Sequence, residues 1–317
     1  MTSRYGLTIP FDGVTLLEHR EWLRRIVDLG YSDVWSSEVD GADGFTPLTL
    51  AAIWEPSLNL GVAVTPVFTR GAGLLAMSIA SMAEVAGGRF TMGLGSSSAP
   101  VVERWNGIAY DKPYARTRDV LDFVKRALNG EKIDEVYETF EVHGFKLSRP
   151  VIQRPAILLG ALRPGMLRLA GREADGAILN WLGANDVAQC RQEVGEGKTI
   201  AARLFVVPNA DADVARAVGR RMISSYLTVS AYAEFHRWLG RGEVLAPMWD
   251  AWAAGERKAA NEAIPDAVVD ELIIHGSYDE CREHVARYVD AGVQIPSLAI
   301  IPFGVDLRDA VEGLAPR

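Results

Sequence analysis

Residues 159–166 carry the clearest chemical signal in the sequence. The segment reads Leu-Gly-Ala-Leu-Arg-Pro-Gly-Met, so an apolar run ends in small residues and a proline then begins a helical pattern. The first amides of a helix lack partners inside the helix and attract anions, and Arg163 adds a positive charge beside them. The segment favours a phosphate site, with an ordinary capped helix as the alternative.

Small polar residues follow the other predicted strands. Glu38 follows the second strand, Thr65 the third and Ser96 to Ser98 the fourth, while Asn180 ends the sixth. This set contains hydroxyls, an amide and one carboxylate, without the clustered histidines and carboxylates that bind a metal ion. A metal-dependent hydrolase is therefore disfavoured.

The segment Gly93-Leu94-Gly95 begins like a dinucleotide-binding fingerprint but does not complete it. The third glycine would fall at position 98, which is Ser98, and Ala99-Pro100 interrupts the helix that should begin there. Two interpretations remain for this loop. It is either a small-residue surface beneath a planar ring or a tight turn.

The elements that position these residues alternate between short apolar runs and segments of helical period. This alternation predicts a (β/α)8 TIM barrel of class α/β, with a doubly wound parallel sheet as the second choice. Residues 1–317 are predicted to form one domain with insertions at about 96–155 and 226–280, after strands 4 and 7. The predicted strands lie at residues 5–10, 33–37, 58–64, 90–95, 156–160, 176–180, 201–207 and 297–301.

Composition limits the classes of partner. The chain has 33 basic and 41 acidic residues, a net charge of −8, which argues against nucleic acid as a ligand. No run of 18 apolar residues occurs, and the cysteines, Cys190 and Cys281, are far apart in segments of helical pattern. We expect a cytoplasmic protein with no membrane partner and no disulfide.

Several blocks of the sequence resemble the bacterial luciferase-like superfamily of flavin and deazaflavin enzymes. The Thr69-Arg70 and Gly87-Gly88-Arg89-Phe90 blocks are most similar to the branch that uses the deazaflavin coenzyme F420, such as methylenetetrahydromethanopterin reductase. The resemblance covers most of the chain and weakens over residues 230–274. The matching blocks are residues 30–38, 45–48, 60–70, 87–95, 112–118, 166–176 and 288–293.

The resemblance implies a cofactor lying across the carboxyl ends of the barrel strands. It implies a cis peptide bond at Ala63-Val64, which forms a bulge beneath the ring, and a homodimer. The overall charge of −8 does not exclude such a cofactor, because an anionic deazaflavin needs only nearby cations. Arg163 is the leading candidate for this role, and Arg70 and Lys112 are weaker ones. The expected cofactor-binding residues are Ala63, Val64, Thr65, Gly95, Ser96, Ser97, Ser98, Gly160, Ala161, Leu162, Arg163 and Asn180.

The chain also departs from the family pattern. Val39 stands where some relatives carry a catalytic histidine, Ser98 replaces an acid, and Trp105-Asn106 replaces a Trp-His pair. Glu38 is the one candidate catalytic group, as an acid or a ring contact, with a hydrogen-bond acceptor at the barrel rim as its alternative role. The substrate of those relatives therefore does not carry over.

Three functions follow as hypotheses. The first is an oxidoreductase that transfers a hydride between F420 and a small enone, imine or alcohol. The second is an FMN-dependent two-component monooxygenase, and the third is a non-catalytic flavin-binding paralogue. Aromatic residues in the second insertion either line the substrate pocket or pack as core: Tyr232, Phe235, Trp238, Trp249 and Trp252.

Overall fold

Eight parallel strands close into a barrel in the computed structural model, which describes residues 4–316. The described chain contains twelve strands, of which eight form the closed ring. They are β1 (Gly6–Thr8), β2 (Asp33–Ser36), β3 (Asn59–Val62), β4 (Thr65–Pro66), β5 (Phe90–Gly95), β6 (Ile133–Val136), β7 (Glu141–Phe145), β8 (Ala156–Gly160), β9 (Gly176–Asn180), β10 (Thr199–Val207), β11 (Ile274–His275) and β12 (Ile295–Ile300). The ring runs β1-β2-β3-β5-β8-β9-β10-β12, and β12 pairs with β1 to close it. The barrel prediction is confirmed, and the doubly wound sheet is wrong because this sheet has no open edge between β1 and β12.

Helices surround the barrel and fill both insertions. They are α1 (His19–Asp28), α2 (Thr46–Trp54), α3 (Ala72–Ala86), α4 (Pro113–Leu128), α5 (Pro164–Glu173), α6 (Val187–Val194), α7 (Ala212–Tyr226), α8 (Ser230–Trp238), α9 (Gly242–Ala253), α10 (Arg257–Glu262), α11 (Asp266–Leu272), α12 (Tyr278–Asp290) and α13 (Leu307–Gly313). Within residues 4–316, none of them combines the length and the apolar character needed to cross a membrane.

Local sequence explains where helices begin and end. Gly87 follows α3 with φ +56°, a left-handed conformation that glycine adopts without a steric penalty. At the start of α12, the Ser277 amide donates to the Glu280 carboxylate at 2.7 Å, and the Glu280 amide donates back to the Ser277 hydroxyl. This capping box satisfies amides that have no partner inside the helix.

The two faces of each strand have different partners. On β10, Ile200, Leu204 and Val206 belong to the large core between barrel and helices, so the alternating residues Ala201, Arg203 and Phe205 face the barrel interior. Five side chains from different strands pack together inside the barrel: Trp35, Leu158, Ile178, Ala201 and Ile295. The interior is therefore a packed core, as in other barrels of this type, and a ligand can enter only at an end.

The Trp35 indole fills much of this interior. Glycines on the neighbouring strands leave the room for it, since a Cβ added at Gly61 would lie 2.3 Å from the ring and one at Gly6 would lie 3.0 Å away. Trp35 is only 1% exposed. Glycine at these two positions is thus a packing requirement.

Both insertions contain regular structure. The first holds a π-helix (Pro100–Trp105), α4 and an antiparallel hairpin formed by β6 and β7. The second holds α8 to α11, of which α9, α10 and α11 contribute to a second apolar cluster together with α7. The first insertion follows β5 at its carboxyl end, and the second follows α7, whose last residue, Tyr226, packs on Trp181 just beyond the end of β9.

Both cysteines lie where the sequence placed them, on helices. Cys190 on α6 and Cys281 on α12 are buried and unpaired. Burial raises the pKa of each thiol to about 12, so neither is a reactive thiolate at neutral pH.

Candidate active site

Strand pairing brings the predicted site residues to one edge of the barrel. The Ala63 amide donates to the Ser36 carbonyl at 2.7 Å, the Val67 amide to the Gly95 carbonyl at 2.9 Å, and the Ala161 amide to the Ile178 carbonyl at 3.1 Å. Further round, Asn180 on β9 pairs with Arg203 on β10. The carboxyl ends of β2 to β10 therefore form one continuous rim, here called the mouth.

The chain between β3 and β4 forms the floor of the mouth. The Ala63-Val64 peptide bond is cis, as the family resemblance implied. The Val64 side chain lies against the ends of two other strands, because a Cβ added at Gly95 would be 2.4 Å from Val64 Cγ2 and one at Gly160 would be 3.1 Å from Val64 Cγ1. Glycine at both positions lets this segment sit low in the mouth.

A buried hydroxyl at the same level has no partner. Thr65 is fully buried, and its Oγ1 makes no hydrogen bond within the described part of the chain. A Cβ added at Gly44 would lie 3.4 Å from Thr65 Oγ1 and 3.3 Å from Glu38 Oε2, so both groups flank the Gly44 backbone. An unsatisfied buried hydroxyl is costly, and a bound ligand is one way to satisfy it.

Glu38 accepts hydrogen bonds on both carboxylate oxygens. Arg70 donates from Nε to Oε1 at 3.0 Å and from Nη2 to Oε2 at 2.8 Å, and the Gly44 amide donates to Oε2 at 3.0 Å. The Arg70 guanidinium also stacks 4.8 Å from the centroid of the Phe45 ring. These contacts fit the rim-acceptor role of Glu38, whose catalytic assignment remains a prediction.

The cations expected near an anionic cofactor differ in their availability. Hydrogen bonding to Glu38 raises the pKa of Arg70, and this partner neutralises its charge. Lys112 forms an exposed pair with Glu138 at 3.3 Å. Arg163 is exposed and has no ion pair with any described residue. Of the three cations, Arg163 is the one that is free.

Arg163 caps the helix that the sequence marked as an anion site. It is the N-cap of α5 in extended conformation, and Pro164 occupies the first turn. No side chain caps this helix, and within residues 4–316 nothing accepts a hydrogen bond from the amides of Gly165 and Met166. Gly160, Ala161 and Leu162 connect β8 to this terminus. The geometry an anion site needs is present, and the phosphate itself remains a prediction.

The loop after β5 is shaped by a residue the sequence analysis missed. Tyr110 donates from its hydroxyl to the Ser97 carbonyl at 3.1 Å and packs on Phe68 with ring centroids 5.1 Å apart. Ser97 itself has a left-handed φ of +60°, and Ser96 and Ser98 beside it are half-buried. Burial raises the pKa of Tyr110, which the nearby Arg163 charge partly offsets. A π-helix follows this loop, so no dinucleotide fingerprint forms.

A second missed residue is Arg203, which faces the interior at the mouth. A single charge among the apolar residues of a predicted strand was the available signal. Next to it, Asn180 donates from Nδ2 to the Tyr232 hydroxyl at 3.3 Å, while Asn180 Oδ1 is buried without a partner.

The proposed aromatic pocket residues divide between two roles. Phe235 is fully buried in the main core, and Trp249 donates from Nε1 to the Leu227 carbonyl at 2.8 Å. Trp238 packs against the main core and Trp252 against the second cluster. Among the described residues, Tyr232 is the one of these five that is hydrogen-bonded to a residue at the end of a strand, Asn180.

The positions that depart from the family pattern supply no substitute proton donor. Val39 and Trp105 are exposed, and Asn106 donates to the Val101 carbonyl at 2.7 Å. Over residues 4–316, no group of three or more histidine, cysteine or acidic side chains is arranged to hold a metal ion.

Comparisons with known proteins agree with this geometry. The model of the luciferase-like monooxygenase family matches residues 4–294. A Mycobacterium tuberculosis protein provisionally assigned as a coenzyme F420-dependent oxidoreductase is 26% identical over 310 residues, covering 87% of this chain and 88% of that protein.

Solved structures show the same fold. The coenzyme F420-dependent tetrahydromethanopterin reductase of Methanopyrus kandleri has a TM-score of 0.80 at 19% identity, covering 99% of this chain and 97% of the other. The FMN complex of the oxygenating constituent of 3,6-diketocamphane monooxygenase, from Pseudomonas putida, has a TM-score of 0.67 at 15% identity, covering 99% and 97%. The chain therefore belongs to the luciferase-like monooxygenase family, a class of oxidoreductase enzymes.

Proposed function

We propose that this enzyme transfers a hydride between coenzyme F420 and a small organic substrate. The observation that carries the proposal is the floor of the mouth, where Val64 lies on Gly95 and Gly160 next to the unpartnered Thr65 hydroxyl. Val64, half-buried on top of two glycines, is the surface on which a planar ring would lie. When bound there, the deazaflavin supplies the carbon that donates or accepts the hydride.

The remaining contacts expected for the cofactor lie along the same rim. Ser96 to Ser98 stand beside the floor at the end of β5, and Arg163 with the free amides of α5 stands at the end of β8. The amides and the guanidinium suit a phosphate. Ring and phosphate thus have adjacent sites on neighbouring strands.

In this proposal, Glu38 is a positioning residue. Its carboxylate holds Arg70 and the Gly44 amide, and through them the segment that carries Phe45 and flanks Thr65. Both carboxylate oxygens are thus engaged by donors of the protein itself, which suits a positioning role.

F420 is favoured over FMN by the M. tuberculosis relative and by the F420-like blocks at residues 69–70 and 87–90. The shared fold with an FMN-bound monooxygenase makes FMN the competing cofactor. The first test measures the dissociation constants of F420 and FMN for the purified protein. Tighter binding of F420 supports the proposal, and binding of FMN alone would overturn it.

Two further measurements separate the hypotheses. Oxygen consumption with reduced FMN would identify a monooxygenase, and the absence of any reoxidation of reduced F420 across a panel of enones and imines would favour a binding-only protein. Arg163→Gln tests the phosphate site and should weaken F420 binding about tenfold, the usual value of one charge-assisted contact. Arg168→Gln, on the same helix in an exposed pair with Glu193, is the matched control.

We also propose that the protein acts as a homodimer. Apolar side chains are exposed on the adjacent helices α2 and α3, with Ile53 65% and Leu74 52% exposed. Such a patch commonly marks an interface. Light scattering during size-exclusion chromatography would measure the mass, and a mass equal to one chain at micromolar concentration would contradict the proposal.

A further inference from the structure

We infer that the substrate of this enzyme carries a carboxylate, which Arg203 binds in the mouth of the barrel. The inference rests on the proposed function and specifies its substrate class. It starts from the position of Arg203, which is the only lysine or arginine in the eight barrel strands of the described chain. The residue faces the interior from the middle of β10, where it pairs with Asn180 at the carboxyl end of β9 and with Ser297 on β12.

The Arg203 charge has no counter-charge. No carboxylate of the described residues lies within 4.0 Å of its guanidinium, and its buried Nε makes no hydrogen bond. The only acidic residue of the barrel strands is Asp33, which accepts from Arg4 Nε at 3.0 Å, two residues before Trp35 and thus toward the other end of the barrel. A half-buried cation without a partner is costly to fold, and a bound anion would offset that cost.

The groups around Arg203 suit the rest of such a ligand. Its guanidinium lies over the Phe205 ring, 5.0 Å from the centroid, and the Trp181 ring packs at a tilt on Phe205 at 4.2 Å and on Tyr226 at 5.0 Å. Next to this aromatic wall, Asn180 Oδ1 is buried and unpartnered. Trp181 and Phe205 are themselves buried, at 1% and 4% exposure, so the partly exposed Tyr226 is the ring of this group that the apolar body of a small organic acid would contact.

A small cavity lies beside Arg203. Arg203, Trp35, Ser297 and Thr8 line a cavity of about 10 Å³, enough for one water-sized group. Trp35 Nε1 is also unpartnered. The cavity has room for one carboxylate oxygen beside the guanidinium, so the second oxygen and the body of the acid would lie above it in the mouth. A phosphate would bring a second charge and more bulk.

The same cavity touches the expected cofactor site. Ala63, at the floor of the mouth, is among its lining residues. A carboxylate held by Arg203 would therefore place the substrate beside the floor on which the ring is proposed to lie. The competing role for Arg203 is a direct contact with the cofactor, and the test must separate the two.

The test compares acids with their uncharged amides. Propionate, crotonate and benzoate, and the three corresponding primary amides, are titrated calorimetrically into the protein with and without F420. We expect at least one acid to bind tenfold more tightly than its amide, which is about 1.4 kcal/mol. Arg203→Gln should abolish this difference while changing the dissociation constant of F420 less than twofold. Arg24→Gln, an exposed arginine on α1 without an ion pair, is the control.

Three results would overturn the inference. These are the absence of any acid preference in the wild type, a preference that survives in Arg203→Gln, and a tenfold loss of F420 affinity in Arg203→Gln. Arg203→Lys covers the case in which the glutamine variant does not fold, because it keeps the charge but not the planar fork and should reduce the preference at least threefold. Acid binding is measured without turnover, so a protein that prefers FMN or is inactive still gives a decisive result.

Discussion

Replacing Gly95 with alanine is expected to disturb the floor of the mouth more than the same change at Gly160. The new Cβ would lie 2.4 Å from Val64 Cγ2, whereas ordinary contacts begin near 3.4 Å, so the Val64 side chain must move by about 1 Å. At Gly160 the added Cβ would lie 3.1 Å from Val64 Cγ1, and a few tenths of an ångström suffice.

These displacements set the expected energies. Overpacking costs about 1 to 3 kcal/mol, while a glycine-to-alanine change returns about 0.4 to 1 kcal/mol by restricting the unfolded chain. Gly95→Ala should therefore lower the free energy of unfolding by about 1 to 2 kcal/mol, and Gly160→Ala should leave it nearly unchanged. If the cofactor ring lies on Val64, the dissociation constant of F420 should rise about tenfold in Gly95→Ala, which corresponds to a loss of about 1.4 kcal/mol in binding free energy.

A double-mutant cycle isolates the contact. Val64→Ala removes the methyl groups that the new Cβ would meet, so Gly95→Ala in that background should cost little, giving a coupling of at least about 1 kcal/mol. Urea unfolding gives the stabilities, and fluorescence quenching of F420 gives the affinities. Additive effects within about 0.3 kcal/mol, or a Gly160→Ala variant as destabilised as Gly95→Ala, would refute the proposed packing of the floor.

Three further predictions concern other charged or titratable groups. Glu38→Gln should weaken F420 binding but leave the pH dependence of turnover unchanged; loss of an ionisation from that profile would instead identify Glu38 as a proton donor. Burial lowers the pKa of His236 to about 3 from 6.5. As the pH falls, the unfolded chain therefore binds this proton before the folded protein does, and the free energy of unfolding should decrease by up to about 1.4 kcal/mol per pH unit from pH 6 to pH 4. Urea titrations should show a weaker pH dependence of stability for His236→Leu, and an equal dependence would contradict this prediction. Arg241 is 7% exposed and forms an ion pair with Asp186 at 2.8 Å, so Arg241→Gln should lower the free energy of unfolding in urea by about 3 to 5 kcal/mol. The control Arg25→Gln, which breaks a more exposed pair with Glu312, should lower it by less than about 1 kcal/mol. Equal losses would contradict the stabilising role of the buried pair.

The barrel was predictable because its signals are local. Each strand is a short apolar run bounded by turn residues, and glycines such as Gly87 mark the ends of helices. Helix α2 has no such local signal, because its sequence, Thr-Pro-Leu-Thr-Leu-Ala-Ala-Ile-Trp, has no polar face and thus no visible period. Its existence depends on packing between the barrel and α3, which a local pattern does not contain.

The candidate site was predictable only in part. The α5 terminus follows from its own residues, whereas the cis bond at Ala63-Val64 followed from family resemblance alone. The partner of Glu38 is Arg70, 32 residues away, and sequence spacing does not pair them. To assign Arg203 to the site, one must know the direction of its side chain, because an arginine one position along the strand would face the helices instead.

Trp35 has a kinetic consequence. Because its indole and the side chains around it fill the barrel below the mouth, the cavity is a dead end rather than a passage. Any molecule that reaches Arg203 enters and departs through the same opening. Two ligands that share such an opening bind in a nested sequence, in which the more deeply seated one arrives first and is released last. If the cofactor and an acid bind as proposed above, turnover would follow a compulsory order, with release of the outer ligand before exchange of the inner one.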